Sequence, residues 1–342
     1  MNTKTKRVII IVAAILAVIT VAYLIIALLP RPTNYALDNP MRKDGELPIL
    51  IAHGGGNKEF PDNTLEAFYN AYSVDKRVMM ETDVSITKDG VVILSHDTTL
   101  DRKTNVTGAI ADHNYSDLIA NEVNFGYTNP TEGGVLNGER KLFKNQDGKE
   151  VTPLDVEYPD GITPRHESVF LATTLEELIV AFPENRINVE IKQSGELGKM
   201  AFEETVKLLE KHDAFDRVVL ASFHSEIYNE FKLRQKEGAL PECFMYSPGT
   251  SGAATYFILK TLALDVFFTD GIAALQLPMD QYGFNLATEG LVKNAHEHNL
   301  AVHYWTINDE DDMRYLIDIG ADGIMTDYPH RLAKVYAEYS AD

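Results

Sequence analysis

Residues 49–102 run from Ile49-Leu50-Ile51-Ala52 into His53-Gly54-Gly55-Gly56, then through Pro61-Asp62-Asn63-Thr64 to Met80-Glu81-Thr82-Asp83-Val84. A second apolar run then ends at His96-Asp97, with Arg102 beyond it. Short apolar runs of this kind read as strands, and residues 64–72, capped by Asp62 or Asn63, read as a helix. His53 and His96 each follow the end of an apolar run, and Glu81 and Asp83, two apart on a strand, project from one face. The stretch is thus a strand–helix–strand unit that carries polar, proton-exchanging groups where its strands end.

The same rhythm extends outward. Strands are expected at 78–84 and 91–95, joined by the turn Lys88-Asp89-Gly90, then at Ile187–Ile191, 218–222, 243–246, 301–306 and Gly323–Thr326. Helical patterns occupy 175–182, 198–211, 225–237, 253–264, 288–298, 310–319 and 328–339. Two short candidates, 266–268 and Ala274–Leu277, compete for one place in the sheet. Eight or nine such units over residues 47–342 fit an α/β fold of the closed (β/α)8 TIM-barrel type better than an open sheet. Residues 121–172, rich in Gly, Asn, Asp and Pro, break the rhythm and are expected as an inserted loop or small subdomain.

Ahead of the barrel, residues 8–29 form an uncharged apolar run after the basic tail 1–7, which holds Lys4, Lys6 and Arg7. At 1.5 Å per residue such a helix spans a hydrocarbon core about 30 Å thick. A cleaved signal peptide has a shorter apolar core and a small-residue cleavage site, which Leu28-Leu29-Pro30-Arg31-Pro32 does not resemble. We therefore expect an uncleaved, single-pass transmembrane anchor in the cell membrane. Its basic flank belongs in the cytoplasm and the barrel outside it. Residues 30–46, with three prolines, read as a stalk.

The 342-residue chain is 45% hydrophobic and 24% charged, the balance of a globular protein. A formal net charge of −20 argues against nucleic acid as a partner, because that binding rests on neutralising phosphates. An anionic substrate then needs a local positive source, and a bound metal is the simplest. The single cysteine, Cys243, excludes an intrachain disulfide and a Cys-based zinc site, and it is expected as a buried strand residue.

Glu81 and Asp83 repel one another unless a cation or protons compensate, and their hard oxygens suit Mg²⁺ or Ca²⁺. Glu190, in Asn188-Val189-Glu190-Ile191-Lys192, adds a carboxylate at the face where barrel strand ends converge. Lys192 is placed to balance these charges or to bind an anionic oxygen. Histidines beside carboxylates suit general acid–base work, since imidazole titrates near neutral pH. Of the others, His224 and His303 fall near strand ends as candidate supports of the site, while His212, His296, His298 and His330 are expected on the surface.

These motifs together resemble the glycerophosphodiester phosphodiesterase family, which usually has H-R-G and P-E-N-T where this chain has His53-Gly54-Gly55 and Pro61-Asp62-Asn63-Thr64. The likeness continues through Glu81-Thr82-Asp83-Val84, Thr87-Lys88-Asp89-Gly90, His96-Asp97 and Arg102. It resumes at Thr174-Leu175-Glu176-Glu177-Leu178, Val189-Glu190-Ile191-Lys192, Ser222-Phe223, Trp305-Thr306-Ile307-Asn308 and Gly323-Ile324-Met325-Thr326-Asp327-Tyr328-Pro329. The resemblance implies a TIM barrel that hydrolyses a phosphodiester with a divalent metal, Ca²⁺ or Mg²⁺. It makes Glu81, Asp83 and Glu190 the metal ligands and His53 and His96 the acid–base pair. Lys192 would bind the phosphoryl group and Trp305 would wall the pocket. Gly54 departs from the family's arginine, leaving Lys192 or Arg102 to bind the phosphate. Asp62 departs from its glutamate, shortening that reach by one methylene.

Three readings follow. The first is hydrolysis of glycerophosphodiesters, such as deacylated phospholipids, to an alcohol and glycerol phosphate. The second is lysophospholipase D-like hydrolysis of intact lysolipids, which a membrane anchor makes geometrically easy. The third is a non-catalytic barrel that binds polyol phosphates.

Overall fold

The computed structural model describes residues 2–43 and 45–340. Eight strands form one parallel ring: β1 (Ile49–Ala52), β2 (Met79–Ile86), β3 (Ile187–Ile191), β4 (Val218–Ala221), β5 (Met245–Ser247), β6 (Ala274–Leu277), β7 (Ala301–Tyr304) and β8 (Gly323–Thr326). Their spatial order is β5-β4-β3-β2-β1-β8-β7-β6, so β1 pairs with both β2 and β8. At the β5–β6 seam the Ala273 N–H donates to the Tyr246 carbonyl at 3.0 Å. This is the expected (β/α)8 barrel. Of the two competing segments, Ala274–Leu277 joins the sheet, whereas Asp265–Phe267 is a single 3-10 turn. The short strand Val92–Leu94 folds back antiparallel onto β2, which lengthens β2 to Ile86.

The barrel interior is filled by Ile49, Ile51, Met79, Val219, Met245 and Met325, joined by Tyr35 and Met41. These last two belong to the segment read as a stalk. It crosses the N-terminal mouth of the barrel: Asn39 Nδ2 donates to the Ala273 carbonyl at 2.7 Å, and the Lys43 N–H donates to Asp322 Oδ1 at 2.7 Å. His303 is fully buried against this plug, with Nε2 3.2 Å from the Met41 carbonyl, and burial lowers its pKa. It serves the closed end of the barrel. Gly323 on β8 makes room for it, since a Cβ there would stand 2.6 Å from the His303 ring.

His298, expected at the surface, is also buried, with Nε2 3.1 Å from Asp265 Oδ2 and Nδ1 2.9 Å from Asn34 Oδ1. Arg31 pairs with the same Asp265 at 2.5 Å, which docks the chain leaving the first helix onto the barrel. Cys243 is half-buried in the turn before β5, and its carbonyl accepts the Tyr35 hydroxyl. The turn closes through the Phe244 N–H onto the Pro241 carbonyl, so the strand starts two residues later than the apolar run suggests.

Thr3–Ala27 is one helix of 25 residues, long and apolar enough to cross a membrane, with none of its residues buried. Residues 121–172 hold a small hairpin, Thr131–Glu132 with Val135–Leu136, and the turn Pro153–Asp155. Arg165 ties this segment to the barrel by donating to Glu177 Oε1 at 3.1 Å and to Thr173 Oγ1 at 2.9 Å.

Candidate active site

The β2–β3 register sets Asp83 opposite Glu190 and Glu81 opposite Asn188. Ligand oxygens of Glu81, Asp83 and Glu190 consequently lie within 4.8 Å of one another. The Gly54 N–H donates to Glu81 Oε2 at 2.8 Å, and Asn63 Nδ2 donates to Asp83 Oδ2 at 3.0 Å. Lys192 Nζ lies 2.8 Å from Glu190 Oε1 and 3.0 Å from Asp83 Oδ1. Burial and then the Asp83 charge push the Glu81 carboxyl up, and burial likewise raises Glu190. One ammonium does not balance three carboxylates. An all-oxygen donor set under this strain fits a hard divalent cation.

His53 sits in the 3-10 turn His53–Gly55 directly after β1. Its Nδ1 lies 2.6 Å from Asp327 Oδ1, so that nitrogen carries the hydrogen and Nε2 is left to exchange a proton. Asn308 holds Asp327 in turn, donating to Oδ2 at 2.8 Å and accepting from the Asp327 N–H at 3.0 Å. Burial would lower the His53 pKa, but the Asp327 bond and the Glu81 charge outweigh it and raise it to about 9.

His96 is the more exposed partner, with Nδ1 3.0 Å from Asp97 Oδ1, and this bond raises its pKa. Arg102 grips Asp97 through Nε at 2.6 Å and Nη2 at 3.3 Å. The guanidinium therefore reaches His96 through Asp97.

His53, Glu81, Asp83, His96, Glu190, Lys192 and Trp305 line one cavity of about 630 Å³; Arg102 is outside its wall. Among the described residues, no wall residue comes from 121–172. Asn188 and Gln276, joined at 2.9 Å, and Phe223, edge-on to Trp305 at 6.4 Å, share the wall. His224 stands behind it, with Nε2 3.0 Å from the Lys192 carbonyl. Asp327 was readable in principle, as a carboxylate one residue past a strand. Asn63 and Asn308 stand within the quoted motifs, but only tertiary contact makes them partners of Asp83 and Asp327.

The two motif departures are neighbours in space. Gly54 has φ +55°, and a Cβ there would stand 2.9 Å from Asp62 Cβ. Asp62 pairs with the buried Lys103 and lies 3.8 Å from Arg102. Burial alone would raise the Asp62 pKa, but the two cations hold it well below the usual carboxylate range. Replacing Lys103 with Met strips this buried carboxylate of its nearest cation and is expected to cost about 3 kcal/mol of stability at neutral pH. A carboxyl depressed in the folded state stabilises above its unfolded pKa of about 4, and that stabilisation is lost as pH falls. The gap between wild type and Lys103→Met in urea melts should therefore narrow in acid, and an unchanged gap would refute this pairing.

Carboxylates, two oriented histidines and a lysine gather at the C-terminal mouth of a (β/α)8 barrel, the face on which barrel enzymes build their active sites. The chain belongs to the glycerophosphoryl diester phosphodiesterase family, whose sequence profile matches residues 53–331. It is similar to the glycerophosphodiester phosphodiesterase of Bacillus subtilis (strain 168), with 26% identity over 303 residues, covering 85% of this chain and 87% of that one. It is similar also to the Homo sapiens protein named lysophospholipase D GDPD3, with 25% identity over 300 residues and 83% of each chain covered. Its fold matches the crystal structure of a glycerophosphoryl diester phosphodiesterase domain from Mycobacterium tuberculosis, with a TM-score of 0.61 at 16% identity, covering 84% of this chain and 99% of that one.

Proposed function

We propose that the protein is a membrane-anchored phosphodiesterase that hydrolyses glycerophosphodiesters to an alcohol and glycerol phosphate, with Glu81, Asp83 and Glu190 holding Ca²⁺ or Mg²⁺. The observation that carries this reading is the carboxylate cluster, within 4.8 Å, flanked by His53 and His96 in one cavity. A bound divalent cation would polarise the phosphoryl oxygens and offset the charge that develops on them. Asp327 fixes the His53 tautomer, and Asp97, held by Arg102, orients His96. One imidazole takes the proton of the attacking oxygen while the other gives one to the leaving alkoxide. Lys192 places positive charge beside the phosphoryl group, and among the described residues it is the one lysine or arginine in the cavity wall.

Full-length protein supplied with Ca²⁺ or Mg²⁺ is expected to convert glycerophosphocholine to choline and glycerol phosphate, read by phosphorus NMR. An absence of turnover on every glycerophosphodiester offered would favour a binding barrel instead. The basic residues at the start of helix Thr3–Ala27 support a barrel outside the membrane. Protease added to intact cells should then digest the barrel, and full resistance would count against that orientation.

A further inference from the structure

The cation and the phosphoryl group engage the charged side chains of the cavity, and two uncharged polar ones have no part in that chemistry. Asn188 on β3 and Gln276 on β6 both line the cavity, and Gln276 Nε2 donates to Asn188 Oδ1 at 2.9 Å. With β4 and β5 between their strands in the ring, this bond crosses the barrel lumen. Asn188 is almost fully buried and stands opposite Glu81 on one side and Val219 on the other in the strand register. Ile51, Met79, Met245 and Met325 fill the interior elsewhere. The amide pair is thus a polar bridge where that apolar filling gives way to the carboxylate cluster.

A side-chain amide has one carbonyl and one amino group, and a bond between two amides uses one of each. Asn188 Nδ2 and Gln276 Oε1 remain. Neither bonds to another described residue and neither is sealed off, so both open on the cavity. Exchanging oxygen and nitrogen in both amides gives the same outcome, one donor and one acceptor facing the cavity. A cross-barrel tie does not require this. Replacing two bonded partners with apolar groups of the same shape is nearly neutral, and Met and Ile already serve in the rest of the lumen. A donor and an acceptor held close together, with no charge, match a hydroxyl, which accepts from one and donates to the other.

We propose that Asn188 and Gln276 bind the terminal hydroxyl of the substrate's glycerol group, and so fix which ester arm of the phosphodiester lies inward. The proposal rests on the phosphodiesterase reading above and adds the residues that determine its specificity. Spacing supports it. Asn188 and Glu190 are two residues apart on β3, roughly 6.6 Å along a strand. Glu190 holds Lys192, which marks the phosphoryl end. An extended glycerol ester carries its terminal oxygen about 6 Å from phosphorus at ordinary single-bond lengths, and its middle hydroxyl lies nearer. The other ester arm is then directed outward, past helix Thr250–Thr261 toward Phe223, Tyr282 and Phe284, which are more than half exposed. Glycerol inward and the leaving alcohol outward is the orientation that releases glycerol phosphate.

The test pairs each ligand with its deoxy analogue, in which the terminal hydroxyl is a hydrogen. Glycerol phosphate and deoxyglycerol phosphate are compared for binding by calorimetry, and the two matching phosphocholine diesters for turnover, all with full-length protein and Ca²⁺ or Mg²⁺. Wild type is expected to prefer the hydroxylated member by about a hundredfold in both Kd and kcat/KM, because the analogue leaves a buried donor and acceptor unpaired. Gln276→Leu should bring both preferences down to about threefold or less. A bridge with only a structural role would lower the melting temperature and leave the preferences intact. Where Gln276→Leu alone fails to fold, the double variant Asn188→Leu/Gln276→Leu removes both partners and keeps the lumen filled. A preference absent from wild type, or undiminished in the variants, overturns the assignment, and continued hydrolysis of glycerophosphocholine then leaves the phosphodiesterase reading standing. A binding preference that the variants abolish, with no turnover of any diester, supports the amide pair and overturns that reading instead.

Discussion

Glu81→Gln is expected to reduce turnover of glycerophosphocholine by about a thousandfold or more, and EDTA should do the same to the wild-type protein. The substitution keeps the size of the side chain and leaves an amide oxygen for the Gly54 N–H, so the backbone of β2 has no reason to move. What is lost is one of three charges that lie within 4.8 Å of each other. Without a cation those charges oppose folding. Burial and Asp83 raise the Glu81 carboxyl, so the folded state penalises its ionisation, and the penalty grows as pH rises through the folded-state value. Metal-free Glu81→Gln should thus melt no lower than metal-free wild type at alkaline pH, while being inactive. Added Ca²⁺ or Mg²⁺ should raise the melting temperature of wild type by mass action and leave the variant nearly unmoved. Undiminished turnover in Glu81→Gln, or in EDTA, would remove this cluster from the mechanism.

The ring of strands was legible because parallel strands covered on both faces read as plain apolar runs. Ile187–Ile191 and Gly323–Thr326 have the bounds their composition suggests. Periodicity does not say which neighbour a face will meet. The segment holding Tyr35 and Met41 has the proline and polar content of a linker, and only contact with the barrel floor buries it. His303 lies near a strand end in sequence, yet its side chain enters the lumen toward the closed end. The helix Thr250–Thr261 carries the same spacing as any barrel-facing helix, and its cavity is visible only once Phe223 and the Asp280–Gln281/Phe284–Asn285 hairpin stand opposite it. In the site, the strand alternation of Glu81 and Asp83 put two carboxylates on one face, and pairing with β3 brings in Glu190. The groups that orient the site, Asp327 for His53 and Asn63 for Asp83, come from elements with no local pattern linking them to their partners.

Asp327→Asn is expected to lower kcat by up to about ten-thousandfold, the loss seen when the carboxylate behind a catalytic imidazole is made neutral. Asp327 stands outside the cavity wall and accepts from His53 Nδ1, so it acts on substrate through the imidazole. KM should therefore move far less than kcat. An asparagine can offer either an oxygen or an N–H to Nδ1, and the neighbouring Asn308, which donates to Oδ2 and accepts from the backbone, does not force the right choice. The tautomer that leaves Nε2 free is then no longer fixed. The bond is also the main influence that raises the His53 pKa against its burial, so its loss weakens the imidazole as a base. The double variant tests whether the effect runs through His53. His53→Ala already removes the group that Asp327 orients, so adding Asp327→Asn should cost little more. A fully additive loss would mean that Asp327 contributes by a route other than His53, and the roles assigned to this pair would have to be reversed or abandoned.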